Sequence, residues 1–175
     1  MESGKKEMTR RAIMRAARGV FEKKGIANTN FCDIAEAAGV SRSTVFNHFA
    51  GSSELLTALC GQGIDDLEKA YLESGQRGKE GIISILDTLI EDTARYPQLV
   101  TQIIFNTITN GGEENPLQMI EELIARNLDN DTNGETTMLI MGAYYGLINH
   151  YHLHNQPFDK EKMQTEMRRM INAII

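Results

Sequence analysis

Between residues 41 and 52 the chain reads Ser-Arg-Ser-Thr-Val-Phe-Asn-His-Phe-Ala-Gly-Ser, a run in which hydroxyl, guanidinium and amide side chains are interleaved with apolar ones. Val45 and Phe49 fall at i and i+4, so one helical face is apolar, and Arg42, Ser43, Thr44, Phe46, Asn47 and His48 take the remaining surface. That set suits a nucleic-acid duplex. Small hydroxyls bond phosphate oxygens, while arginine and asparagine can pair bidentately with guanine and adenine edges in the major groove. A solvated helix between two loops would show the same pattern. His150, His152 and His154 form a second suggestive group, because the first and third share a helical face as metal ligands can. No cysteine or clear carboxylate partner stands beside them, and histidines near a helix C-terminus also complement its dipole, so no metal is expected. The chain has no G-x-S-x-G, no phosphate-cradling glycine loop and no paired cysteine-histidine spacing, so neither an enzyme nor a bound cofactor is expected. A catalytic constellation scattered among helices would leave no such trace.

The elements that must position these residues are helical. Ile13, Ala16, Ala17, Val20 and Phe21 recur with the helical period over about Thr9 to Lys24, and Gly25 follows as a stop. Asn30 is a start signal with Asp33 three residues on, and Ile34, Ala35 and Ala38 form the buried stripe of a short second helix ending at Gly39. Ser41 caps the third. Gly51 and Ser52 stop it and open a long rod to about Glu73, carrying Leu56, Leu59, Leu67 and Tyr71. Gly61 and Gly63 inside the rod are expected to soften or break it. Further helices are expected over 82–95, 98–109, 116–128, 135–154 and 159–174, separated by Pro97, the 110–115 and 129–134 loops and the 155–157 turn. No segment alternates with the period of a strand. The fold class expected is all-α: a three-helix head, residues 1–51, and a larger helical body, residues 52–175, with about nine helices.

Charge divides at the same place. Residues 1–51 hold nine Lys and Arg against five Asp and Glu, whereas the remainder holds nine against nineteen. A basic head on an acidic body fits a head that meets phosphates and a body that does not, although a patch of this size can also be an ordinary solvated face. Two cysteines, Cys32 and Cys60, no secretory signal at the start and no apolar run of about 20 residues point to the cytosol rather than to a membrane.

Two short helices joined by a glycine-containing turn are the pattern of a helix-turn-helix, whose second helix lies in the major groove while the first crosses the backbone. From Ala12 to Leu55 the chain resembles the TetR family of bacterial repressors. The likeness is carried by an alanine-rich helix ending in Phe21 and Gly25, then Thr29-Asn30-Phe31-Cys32-Asp33-Ile34-Ala35, Ala38-Gly39-Val40-Ser41, Ser43-Thr44-Val45-Phe46-Asn47-His48-Phe49 and Glu54-Leu55. The resemblance implies a transcriptional regulator, a repressor released from a pseudo-palindromic double-stranded DNA operator by a small-molecule inducer. It implies that Ser41, Thr44, Phe46 and His48 hold the DNA backbone and that Arg42, Ser43 and Asn47 read bases. Asn30 and Ser52, at the starts of the second and fourth helices, complete the expected DNA-contacting set. Phe46 stands where the family commonly has a tyrosine and Ser52 where it often has a lysine; both changes imply weaker nonspecific binding.

For the body the resemblance implies a cavity and a homodimer. Apolar residues Ile104, Phe105, Ile108, Met119, Leu123, Met141 and Tyr145 are the neighbourhood expected to line the cavity, with core filling as the commoner use of such residues. Gly142 and Gly146 leave one face of their helix without side chains, so another helix can approach closely. With the apolar stripe Met163, Met167, Met170, Ile171 and Ile174 they are expected to form the dimer interface, the alternative being packing within the chain. Two other functions stay open: an architectural DNA-binding protein with no inducer, and a helical enzyme.

Overall fold

A computed structural model describes residues 2–110, 115–129 and 131–175. The described residues form nine helices and no strand: α1 (Glu2–Lys24), α2 (Phe31–Ala38), α3 (Arg42–His48), α4 (Ser52–Ser74), α5 (Gly78–Arg95), α6 (Pro97–Asn110), α7 (Pro116–Ala125), α8 (Glu135–Leu153) and α9 (Lys160–Ile174).

Local chemistry sets most of the boundaries. Asn30 and Asp33 make a reciprocal capping box at α2, the Asn30 side chain accepting from the Cys32 and Asp33 amides while Asp33 accepts from the Asn30 amide. Gly39 ends α2 in the left-handed region at φ 66°, where a side chain would be strained, and this turn sets the angle between α2 and α3. Asn115 and Asp159 cap α7 and α9 in the same side-chain manner as Asn30.

Several boundaries differ from those expected. α1 begins at Glu2 rather than near Thr9, because the polar opening lacks the amphipathic signal yet is rich in helix-compatible Glu, Lys and Met. α5 begins at Gly78 rather than at residue 82, so Gly78 and Gly81 fall inside its first turn. α7 stops at Ala125, with Arg126 to Leu128 in a turn. The rod α4 is continuous through Gly61 and Gly63; its backbone is not broken there. The expected 110–115 loop falls largely on 111–114, and the 129–134 loop includes residue 130; these lie outside the described residues.

Two buried clusters result. The head cluster takes Ile13, Ala17 and Phe21 of α1, Ile34 of α2, and Val45 and Phe49, and reaches into Leu55 and Leu59 of α4 and Leu99 of α6. Position 52 thus starts a helix, but the head's core continues into the first two turns of α4. The body cluster is built around α5, which packs on α4, α6, α7 and α9, with α8 lying on α9 and α7. A deep polar contact joins Tyr71 of α4, whose hydroxyl donates to Asn127 Oδ1 at 3.0 Å, while the Asn127 amide donates to the Leu123 carbonyl at 2.9 Å. Gly81 of α5 passes directly beneath, and a Cβ at that position would run into the Asn127 amide oxygen.

Candidate nucleic-acid interface and body cavity

α2, the Gly39 turn and α3 present one continuous surface. Val45 and Phe49 are buried in the head, which leaves Arg42, Ser43, Phe46 and Asn47 exposed and Thr44 and His48 half-buried at the edge. Ser41 caps α3: its Oγ accepts the Thr44 amide at 3.1 Å and lies 2.8 Å from both Ser43 Oγ and Thr44 Oγ1. These hydroxyls satisfy one another without a partner and can be turned toward a phosphate at little cost. Asn47 makes no side-chain hydrogen bond among the described residues, so both of its amide groups are free for a base edge.

Other expected contact residues are partly engaged by the protein. Phe46 packs its ring 4.9 Å from that of Phe31, and the Arg42 guanidinium lies 5.2 Å from the Phe46 ring centroid. The ring at position 46 therefore joins α3 to α2 and orients Arg42. The Asn30 side chain is spent on the α2 cap, and Ser52 is the first residue of α4, whose N-cap is Gly51.

The sequence reading missed the residues that brace this surface. Arg10 of α1 donates through Nη1 to the His48 carbonyl at 2.8 Å, and its guanidinium lies 4.2 Å from the Phe49 ring centroid. Lys24 Nζ donates to Asp33 Oδ1 at 2.6 Å, tying α1 to α2; this hydrogen bond is the main reason the Asp33 carboxyl is held below its usual range. Both pairings join residues remote in sequence, so no local signal announces them.

A cavity of about 120 Å³ lies where head and body meet, walled by Arg18 of α1, Cys60 of α4, Asp92 of α5, Ile103 of α6, Leu117 of α7 and Tyr144 of α8. It shares Cys60, Ile64, Ile103 and Pro116 with an open groove of about 750 Å³ running between α4, α6 and α7. Of the residues expected to line a cavity, Ile104 does so and Met119 lines the groove. Leu123 and Met141 are buried in the body core, and Tyr145 is packed at its edge with a buried hydroxyl that finds no hydrogen-bond partner among the described residues; burial pushes that phenol up to about 12. Phe105 and Ile108 are corrections. They are 70% and 58% exposed on the outer side of α6, because the inner side is filled by Val100, Ile103 and Ile104.

The expected interface also divides. Gly142 and Gly146 are exposed on α8, in a stripe with Met138, Leu139 and Leu153, and among the described residues outside their own helix backbone nothing lies within 4 Å of where their Cβ atoms would be. Met170 is exposed and Ile174 half-buried on α9. Met163, Met167 and Ile171, in contrast, are buried in the chain's own core against α5 and α8 and are not available to a partner. The histidines part company as well. His152 Nε2 lies 2.7 Å from Thr101 Oγ1, joining α8 to α6, whereas the His150 and His154 rings sit 4.4 Å apart. No group of three or more metal-ligating side chains comes together among the described residues. Nor is any described helix long and apolar enough to cross a membrane.

A braced helix-turn-helix on an all-helical body defines a class of two-part proteins in which the head carries the exposed reading helix. Residues 13–59 match the family model described as bacterial regulatory proteins, tetR family. The chain is 47% identical over 63 residues to the HTH-type transcriptional regulator TtgR of Pseudomonas putida, a match covering 36% of this chain and 28% of that protein. It is 27% identical to the HTH-type transcriptional regulator AcrR of Shigella flexneri, across 88% of this chain and 83% of that one. A solved structure of a transcriptional regulator (TerR/AcrR family) from Aquifex aeolicus superposes with a TM-score of 0.72 at 19% identity, covering 95% of this chain and 99% of the other. The head, residues 13–59, is that of the TetR family of bacterial regulatory proteins, and the matched segment spans under a third of the first curated relatives' length.

Proposed function

We propose that the protein is a transcriptional regulator that binds a pseudo-palindromic DNA operator as a homodimer and is released by a small-molecule inducer held in the body. The observation that carries the reading is α3 itself: Val45 and Phe49 fix it to the head while Arg42, Ser43 and Asn47 stay exposed with hydrogen-bonding groups uncommitted to the core. The named relatives are transcriptional regulators, and the segment most like them is this head.

Dimerisation rests on the α8 stripe of Met138, Leu139, Gly142, Gly146 and Leu153, a contiguous exposed apolar strip along one helix. A two-fold dimer suits a pseudo-palindromic operator, whose half-sites helix-turn-helix dimers read about 34 to 36 Å apart. Release by an inducer rests on the cavity, whose walls come from both head and body, so that a ligand there bears on how the two sit together.

The test is selection from a randomised duplex pool with the full chain, followed by sedimentation of the protein alone and with the selected DNA. Enrichment of an inverted repeat bound by two chains supports the reading. Sequence-independent binding would favour an architectural role, and no DNA binding would remove the proposal.

A further inference from the structure

α3 is too short to hold its own angle. It has seven residues, where an isolated helix needs about 12 to 15 to persist in water, and Val45 is the side chain it buries. The Gly39 turn and the Ser41 cap fix its N-terminal end. Its C-terminal end has no such device: Phe49 leaves the helix in extended backbone at φ −144°, and the carbonyls of the last turn find no partner within the helix.

Two side chains from other helices close that end. Arg10 of α1 donates to the His48 carbonyl at 2.8 Å while its guanidinium lies 4.2 Å from the Phe49 ring centroid. Glu54 of α4 accepts the Ala50 amide on Oε2 at 2.7 Å. The carbonyl of residue 48 is therefore held from α1 and the amide of residue 50 from α4, with Phe49 buried between them. Charge fits both ties, a cation at the negative end of α3 and an anion at the positive end of α4. A guanidinium that stacks and donates at once is fixed in plane as well as in distance. Capping of α4 would account for Glu54 alone, but not for Arg10, 38 positions before His48, being committed to the same stretch. α1 also holds α2 through Lys24 and Asp33, so both helices of the reading unit are referred to one frame.

Resting on the reading of α3 as the DNA-reading helix, we propose that Arg10 and Glu54 are positioning residues for sequence recognition: together they clamp residues 48–50 and set the angle at which Arg42, Ser43 and Asn47 enter the major groove. Asn47 adjoins the clamped end and is the reader that a loosened clamp displaces most. Base-edge hydrogen bonds weaken steeply once bent, so they depend on this angle. The hydroxyls around Ser41 lie at the end that is fixed independently, and phosphate contacts made there depend on it little.

The charge of Glu54 separates the clamp from electrostatics. A carboxylate repels phosphate, so on charge alone Glu54→Ala tightens binding to every duplex. The test measures the full chain against the operator selected from a random pool and against an unrelated duplex of equal length, over a range of salt. Glu54→Ala and Arg10→Gln are each expected to weaken operator binding about fivefold, the scale of one net hydrogen bond, and Glu54→Ala to leave the unrelated duplex bound as well as before or better. Glu54→Gln, whose amide oxygen can still accept from Ala50, should keep the parent's operator-to-unrelated ratio. A salt slope shallower by about 0.9 in Arg10→Gln would make Arg10 a phosphate contact and overturn its positioning role. Tighter binding of both duplexes by Glu54→Ala, or a parallel loss on both, would overturn the clamp, and a ratio unaltered in either variant removes that residue from it. If the parent itself selected no operator, the reading of α3 would fall and the clamp with it; an operator selected by the parent and read equally well by both variants would overturn the clamp alone.

Discussion

Glu22 of α1 places its carboxylate at the start of α6, where its two oxygens accept the backbone amides of Gln98 at 3.3 Å and Leu99 at 2.9 Å. The first turn of α6 is therefore capped by a residue of the head. A second bond runs the other way, from the Ile26 amide to Gln102 Oε1 at 2.9 Å. α6 also walls the cavity through Val100, Ile103 and Ile104, so the helix that a ligand touches is the helix that holds the head.

Glu22→Ala should remove this cap and cost about 1 kcal/mol, as the loss of other helix caps does. Hydrogen exchange at Gln98 and Leu99 is the direct measurement. Unchanged protection there would mean that the first turn of α6 is held by packing alone.

Within α3, positioning and reading should separate. Thr44→Val takes away a phosphate-facing hydroxyl and is expected to weaken binding about equally on operator and unrelated DNA. Asn47→Ala should cost about 1 to 3 kcal/mol on the operator and little elsewhere. An operator-to-nonspecific ratio that Asn47→Ala left unchanged across a range of salt would move the reading face to another residue.

Gly142→Leu distinguishes contact within the chain from contact between chains. The position is open in the single chain, so the fold should tolerate the side chain and its thermal midpoint in the monomeric state should hold. A close interface should not tolerate it; overpacking of about 1 to 3 kcal/mol would weaken dimerisation by roughly tenfold or more in sedimentation. An undiminished dimer would place the interface on another face.

Asp92 and Asp33 should give opposite pH signatures. The folded state raises Asp92 above its usual 3.8, mainly by burial, with Asp66 and Glu91 adding to the rise and Arg18 and Arg95 opposing it. The folded chain then holds that proton more tightly than the unfolded one, and stability falls as pH climbs from 3.8 through the raised value. Asp92→Asn should therefore stabilise the protein at pH 7, with the gain shrinking toward pH 4. Asp33, lowered from 3.8 by Lys24, contributes stability above that pH and loses it as pH falls through the lowered value. Urea midpoints of Asp92→Asn and Asp33→Asn against pH check both signs, and a stability gain from Asp92→Asn that did not vary with pH would show that its carboxyl titrates alike in both states.

What was legible in the sequence was local. The Asn30 and Asp33 cap, the Gly39 turn and the Ser41 cap each act within a few residues, and together they specify the reading surface. Periodicity showed that one face of α9 is buried but not what covers it, and Met163, Met167 and Ile171 turned out to face their own chain. The outward placement of Phe105 and Ile108 was hidden for the same reason. Arg10 with His48, Glu22 with Leu99, and Arg18 with Asp92 are separated by 38, 77 and 74 positions, and only the fold brings them together. Gly61 and Gly63 looked like a break because each lowers helix propensity by about 1 kcal/mol, which the packing of Leu59 and Leu67 on either side outweighs.

The contact of Gly81 with Asn127 ties the histories of two distant positions. Any side chain at 81 collides with the amide that Tyr71 and the Leu123 carbonyl hold in place, so a larger residue there becomes acceptable only in a lineage that has already given up Asn127. Losing Asn127 first leaves the Tyr71 hydroxyl buried without its acceptor. Each single step is therefore harmful alone, and among descendants of this chain the two sites should drift together or stay put.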